Sequence, residues 1–153
     1  EELAEIALQY AFALACVEGE LGPGKRIQEL RTGQHADRAF EHLEKGCDFY
    51  ERGEFSEAAR EFSRAARLGC PEAQVNLGNM YSSNELGTPN IKKAVYCYKS
   101  AIRKGTPLTA ANAASNLAIT YKNLGKKRLY FFWMKRAAAL GDEDAEKIVE
   151  TSE

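Results

Sequence analysis

The stretch Ala58–Gly69, AAREFSRAARLG, recurs twice in this chain of 153 residues. Its copies are Ala94–Gly105, AVYCYKSAIRKG, and Tyr130–Gly141, YFFWMKRAAALG. Matching positions lie 36 residues apart both times, and a fixed period of this size is typical of solenoid arrays. The period therefore predicts the architecture and says little about chemistry. The recurring positions are Ala58, Ala94 and Tyr130; Phe62, Tyr98 and Met134; Ala65, Ala101 and Ala137; and Gly69, Gly105 and Gly141.

The composition favours one helical domain or one compact array. The apolar fraction of 44% is ordinary for a globular protein, and only four prolines are present. Long alternating runs of β-branched residues are missing, which favours helices over strands. No run of 18 apolar residues exists, so the sequence predicts no membrane span.

The segments around the repeated stretch predict three helix pairs, each with a helix A followed by a helix B. Glycines after the B helices, and prolines at the starts of later A helices, mark the boundaries. The expected units are 37–69, 70–105 and 106–141. Their helices are expected at 37–51 and 55–68, at 71–83 and 90–104, and at 107–124 and 126–140, with a capping helix over 142–151.

Residues 1–36 are expected to form an N-terminal helix and a linker or cap. Apolar residues in Glu1–Gly19 recur at helical spacing. Lys25–Arg31 is expected to form a short helix that ends at Gly33, and Asp37 is expected to cap the first helix A.

These landmarks resemble the tetratricopeptide repeat, and specifically its Sel-one-like subclass. That signature has a small residue in helix A, an aromatic residue three positions later, and then Ala, aromatic and Ala along helix B. The middle unit has the longer spacing between helices of the Sel-one-like form, whereas the outer two have the short turn, so we expect a hybrid array. In the middle loop, Asn84 and Leu86 stand where two glycines are usual. The matching residues are Gly46, Phe49, Ala58, Phe62 and Ala65; Gly78, Tyr81, Ala94, Tyr98 and Ala101; and Ala118, Tyr121 and Ala137.

The resemblance implies an all-α fold, an α/α solenoid of antiparallel helix pairs with an N-terminal helix and a C-terminal capping helix. It implies a non-catalytic adaptor or scaffold that binds another protein in a concave groove lined by helix A. By position, the groove residues are Leu43, Cys47, Tyr50, Val75, Asn76, Asn79, Ser115, Asn116, Ile119, Lys122 and Asn123.

The charges are unevenly distributed along the chain. Residues 91–136 contain eleven basic residues and no acidic one, so the net charge of −1 leaves −12 for the rest. We expect this region to meet a partner with an acidic surface or segment, and the binding to weaken as salt rises. Within it, aromatic residues follow a basic run and suggest a patch formed by Lys126, Lys127, Arg128, Phe131 and Phe132. Trp133 and Met134 are expected to pack inside the array.

Other functions stay open at this stage. The basic region is also compatible with nucleic acid or another anionic surface, and opposite charges in the middle and at the ends are compatible with self-association. An immunity or regulatory protein that inhibits a toxin or enzyme is a further alternative. Catalysis is not expected, because no nucleophile, base or metal set converges.

Cysteines and histidines suggest no cofactor or metal site. Cys16, Cys47, Cys70 and Cys97 form no C-x-x-C pair and are expected to be buried small hydrophobes. His35, His42 and Cys47 do not share one helical face, so no metal site is expected. The carboxylates Glu54, Glu57 and Glu61 are expected to lie on a solvated face with neighbouring arginines. A cytoplasmic location is favoured, with the periplasm and secretion left open because the chain does not begin with Met.

Overall fold

The computed structural model describes the backbone of residues 23–151 and the side chains of residues 33–151. This part of the chain is all-α, and its seven helices follow the predicted pairs. They are α1 Pro23–Glu51, α2 Phe55–Arg67, α3 Pro71–Ser82, α4 Ile91–Lys104, α5 Pro107–Asn123, α6 Lys127–Ala139 and α7 Glu143–Glu150. The odd-numbered helices α1, α3 and α5 are the A helices, and α2, α4 and α6 are the B helices.

The chain divides into two compact units, Glu1–Arg38 and Ala39–Glu153. The second unit contains the end of α1 and all of α2 to α7. Within it α2 contacts α3, and each later helix contacts the one that follows; α3 also contacts α5, the next helix A. The A helices α3 and α5 therefore lie side by side, as the solenoid prediction requires.

The predicted helix boundaries before the first pair are wrong. The helix expected at Glu1–Gly19 lies outside the described residues. Instead of ending at Gly33 and restarting at Asp37, α1 runs unbroken from Pro23 to Glu51. A single glycine costs a helix about 1 kcal/mol, and good helix formers on both sides propagate it past that position. Helix α1 continues across residues 36 and 37, where a domain boundary was predicted. That boundary stays a prediction.

Small residues in the A helices let the large B-helix side chains enter the core. A Cβ added at Gly46 would lie 2.5 Å from the Phe62 ring, and one added at Gly78 would lie 2.6 Å from the Tyr98 ring. The third unit has Ala118 in the same buried cluster as Met134. The small positions therefore allow close packing of the two helices, which explains why the matching glycine is dispensable where the partner is the more flexible Met.

Three buried clusters form the core of residues 39–151: one at each of the two junctions between repeats, and one between the third repeat and the capping helix α7. Phe62, Tyr98 and Met134 lie in the first, second and third cluster, respectively. Helix α7 closes the last cluster with Ala145, and Asp142 caps this helix by accepting from two backbone amides. The predicted capping helix is therefore present.

The loop between α3 and α4 is the longer one that the sequence predicts. Its left-handed position is taken by Gly87, with φ of +92°, so neither Asn84 nor Leu86 needs that conformation. The loop is closed by the backbone N–H of Asn90, which donates to the backbone carbonyl oxygen of Tyr81 over 2.7 Å. None of the helices in the described part of the chain has the length and apolar character that a membrane span requires.

Candidate binding site along the A helices

Two cavities adjoin each other along the A helices. The larger, the α3–α5 cavity, has a volume of about 360 Å³, and the smaller, the α1–α3 cavity, has about 260 Å³. Asn79 lines both of them, so the two cavities meet at this side chain. The α3–α5 cavity is lined by Asn79, Ser82, Pro89, Ile91, Tyr98, Asn116, Ile119, Thr120, Asn123 and Leu124. The α1–α3 cavity is lined by Cys47, Tyr50, Glu51, Phe62, Asn76, Asn79 and Met80.

A hydrogen-bond network positions Asn79 between the cavities. The Tyr98 hydroxyl donates to Asn79 Oδ1 over 2.7 Å, and Asn116 Nδ2 donates to the same oxygen over 3.1 Å. Burial raises the pKa of Tyr98, so its hydroxyl stays a neutral donor at pH 7. Among the described residues, no group accepts a hydrogen bond from Asn79 Nδ2. The network therefore holds two amides side by side and leaves hydrogen-bonding groups available in the cavities.

Apolar surface surrounds these amides. Tyr50, Ile119 and Leu124 line the cavities while 41%, 46% and 44% exposed, respectively. The Tyr50 hydroxyl donates to Glu85 Oε1 over 2.5 Å, and this hydrogen bond raises the pKa of Tyr50. The contact ties the end of α1 to the loop between α3 and α4, which gives the smaller cavity a fixed edge.

Most of the predicted groove residues line these cavities, but four do not. Leu43 packs against the first buried cluster and Val75 against the second. The Ser115 hydroxyl donates to Asp142, which lowers the pKa of that carboxyl. The Lys122 ammonium lies over the Tyr130 ring. The predicted residues that do line a cavity are Cys47, Tyr50, Asn76, Asn79, Asn116, Ile119 and Asn123.

Several lining residues were not predicted. Some come from the B helices and the middle loop, and others lie on or at the end of A helices, namely Glu51, Met80, Ser82, Thr120 and Leu124. Tyr98 was assigned to packing alone, yet its hydroxyl reaches the cavity network. A signal was available, since a buried Tyr needs a partner for its hydroxyl where Phe62 needs none. Pro89 and Ile91 became lining residues only through the path of the longer loop.

The predicted basic and aromatic patch lies at the start of α6. Lys126, Lys127 and Arg128 are exposed, and Phe131 and Phe132 are 36% and 55% exposed. None of these five lines either cavity, so the patch is separate from the A-helix site and its binding role stays a prediction. Trp133 is half-buried against the second and third clusters, and Met134 is buried, as predicted for packing residues.

Glu61 is not on a solvated face, contrary to the prediction. It is 7% exposed and accepts hydrogen bonds from His42 Nδ1 over 2.6 Å and from Arg64 over 2.5 Å. Burial alone would raise the pKa of Glu61, but the His42 hydrogen bond and the Arg64 charge lower it below its usual value. The His42–Glu61 hydrogen bond therefore links α1 to α2. Of the three carboxylates Glu54, Glu57 and Glu61, only Glu54 forms an exposed ion pair, with Arg52 over 3.3 Å.

The cysteines differ from one another in exposure. Cys97 is buried, and burial raises its pKa to about 11. Cys70 is half-buried, whereas Cys47 is exposed and lines the α1–α3 cavity, so burial was the wrong expectation for Cys47. Cys16 lies outside the described residues. No group of three metal-ligating side chains occurs within residues 33–151.

Antiparallel helix pairs that stack through small and aromatic positions define an α-solenoid of the tetratricopeptide type. Residues 71–106 and 131–142 match the family model of the Sel1 (Sel-one-like) repeat. The chain is thus a helical repeat protein of the tetratricopeptide and Sel1-like type, as predicted. The match covers the whole middle pair and residues 131–142 of the third pair, and the hybrid character of the array stays a prediction. Such repeats are typically non-catalytic and mediate protein–protein interactions.

Two solved structures share the fold. The N-terminal domain of stress-induced protein-1 (STI-1) from C. elegans has a TM-score of 0.64 at 18% identity, over 76% of this chain and 95% of that one. A Sel1 repeat protein from Oxalobacter formigenes has a TM-score of 0.58 at 24% identity, over 81% of this chain and 98% of that one. At these identities the likeness shows the fold alone. A search of curated proteins finds no match.

Proposed function

We propose that the chain is a non-catalytic adaptor that binds an extended segment of a partner protein in the two cavities along the A helices. The observation that carries the proposal is a pair of hydrogen-bonded amides: Asn79 lines both cavities, and its partner Asn116 lines the α3–α5 cavity. Asn76 and Asn123 add one amide to each cavity. Together they place uncharged donors and acceptors along one path.

An extended peptide matches this arrangement chemically. Its backbone presents an N–H and a C=O group at each residue, and each group needs a partner once water is displaced. An Asn side chain offers both a donor and an acceptor. The exposed apolar surfaces of Ile119, Leu124 and Tyr50 would take up side chains of the segment and supply the hydrophobic part of the affinity.

The charges of the site predict how binding responds to salt. None of the eleven basic residues in 91–136 lines either cavity, and among the described residues Glu51 is the only charged one that does. We therefore expect peptides that occupy the cavities to bind with little dependence on ionic strength.

Selection from a display library of random short peptides, followed by titration of the enriched sequences, tests the proposal. Asn79→Ala and Asn116→Ala should each weaken binding about fivefold, the worth of roughly one hydrogen bond. Asn84→Ala is the matched control, because Asn84 is exposed and lines neither cavity. Bound peptide should also slow alkylation of Cys47, which lines the smaller cavity.

The variants must first show wild-type helical circular dichroism and a melting curve close to wild type. Binding that is indifferent to both Asn79→Ala and Asn116→Ala, with Cys47 equally reactive in the presence of peptide, would contradict the proposed site. Failure to enrich any peptide over the library background would contradict it as well.

A further inference from the structure

Basic residues, which are missing from the two A-helix cavities, line two grooves along the B helices. A groove of about 780 Å³ runs between α2, α3 and α4, and a second of about 390 Å³ lies between α4 and α6. We name them the first and the second B-helix groove. Tyr96, which is 67% exposed, lines both and stands where they meet.

Within residues 33–151, the side chains that line the two grooves include cations and no carboxylate. Arg67, Lys92, Lys93 and Lys104 line the first groove. Lys99, Arg103 and Arg136 line the second. All seven are exposed, and none forms an ion pair with another described residue. Basic side chains crowded without counter-charges repel one another, and an anionic ligand relieves that repulsion.

The aromatic rings of the grooves favour carboxylates over nucleic-acid bases. Binding of single strands relies on open aromatic faces on which bases stack. Lys93 Nζ lies 5.3 Å from the centre of the Tyr81 ring, and Lys99 Nζ lies 5.9 Å from that of Trp133. The protein's own lysines thus occupy these two rings and leave Tyr96 as the open one. The same ammonium groups remain accessible to acidic side chains.

We propose that the two B-helix grooves form a second docking surface, which binds an acidic segment of a protein. The surface is separate from the A-helix cavities, since no residue lines both sites. The chain would then bridge two partners, one held by uncharged amides and one held by charge. This inference goes beyond the peptide site along the A helices and does not depend on it.

Fluorescence anisotropy with a labelled polyglutamate peptide tests the surface. The double variant Lys92→Glu/Lys99→Glu reverses one charge in each groove and should weaken binding by about tenfold or more. Arg38→Glu/Arg60→Glu makes the same change in net charge at exposed positions that line neither groove, lie outside both cavities and do not belong to the patch at the start of α6, and it should change affinity by about twofold at most. Wild-type affinity should fall as sodium chloride is added.

Three outcomes would overturn the inference. Equal losses in the two double variants would show a diffuse charge effect rather than a groove. An oligothymidylate that binds more tightly than polyglutamate, and loses affinity in the groove variant, would identify the occupant as nucleic acid. Low-salt dimerisation that the groove variant abolishes, seen by sedimentation velocity without added peptide, would identify a second copy of the chain.

Peptides selected for the A-helix cavities provide the remaining control. They should bind the Lys92→Glu/Lys99→Glu variant as tightly as wild type, which shows that this variant is folded and that the two surfaces are independent. Loss of both activities in this variant would mean that a single surface serves both ligands, contrary to the inference.

Discussion

Replacing Gly46 with Ala should destabilise the array, although Ala is the better helix former. The new Cβ would lie 2.5 Å from two atoms of the Phe62 ring, a distance that real contacts do not reach. Phe62 is 2% exposed and packed in the first buried cluster, and it also lines the α1–α3 cavity. To relieve the clash, the helices must move apart or the ring must shift toward that cavity, and either movement breaks contacts in the cluster.

Two opposing contributions set the size of the effect. Replacing a helical Gly with Ala gains about 1 kcal/mol from the backbone, while overpacking a core costs about 1–3 kcal/mol. We expect Gly46→Ala to lose up to about 2 kcal/mol in net stability. Gly33 is the matched control on the same helix α1, because nothing lies within 4 Å of its added Cβ. Gly33→Ala should gain up to about 1 kcal/mol.

The array itself suggests a rescue, since the third unit pairs Ala118 with Met134. Phe62→Met should recover about 1–2 kcal/mol in the Gly46→Ala background relative to additive losses, a coupling typical of contacting residues. Urea unfolding followed by helical circular dichroism measures the stability of the wild type, of the single variants Gly46→Ala, Gly33→Ala and Phe62→Met, and of the double variant. If Gly46→Ala were as stable as Gly33→Ala, or the double variant strictly additive, the close-approach argument would be refuted.

Three further predictions follow from the titratable groups. Cys47 should alkylate much faster than Cys97 at neutral pH, because the buried Cys97 thiol has a pKa raised to about 11; similar rates in peptide mapping by mass spectrometry would contradict this. Glu61→Gln should cost about 1–3 kcal/mol at pH 7. That difference should disappear as the pH falls through the lowered pKa of Glu61, where the native carboxylate takes up its proton, and urea titrations at neutral and acid pH measure it. Asp142→Ala should cost about 1 kcal/mol by removing the α7 cap, and an unchanged melting curve would speak against that role.

Much of the fold was predictable because the signals are local. Pro71 and Pro107 begin helices at the predicted residues, since proline suits the first turn of a helix wherever it occurs. The boundary at Gly33 was not predictable in the same way. Its cost to the helix is small enough that the surrounding helix formers decide the outcome.

The candidate site was predictable only where it lies on the A helices. Asn79 and Asn116 follow from their positions in the repeat, but their hydrogen bond to each other and to Tyr98 depends on how α3, α4 and α5 pack. The exposure of Cys47 and the burial of Glu61 depend on packing in the same way, because residue type alone favoured the opposite in each case.

The sequence by itself determined the repeat, its helix pairs and the small and aromatic residues that stack them, because periodicity and close packing are properties of residue type and spacing. Only the tertiary structure decided which surface each charge occupies. The eleven basic residues of 91–136 follow one another along the chain without an acidic residue between them, yet helix pairing places six of them along the B-helix grooves and none in the A-helix cavities, where amides lie instead. The sequence gives the number of charges, but the packing of the helices determines on which surface each charge is accessible to a partner.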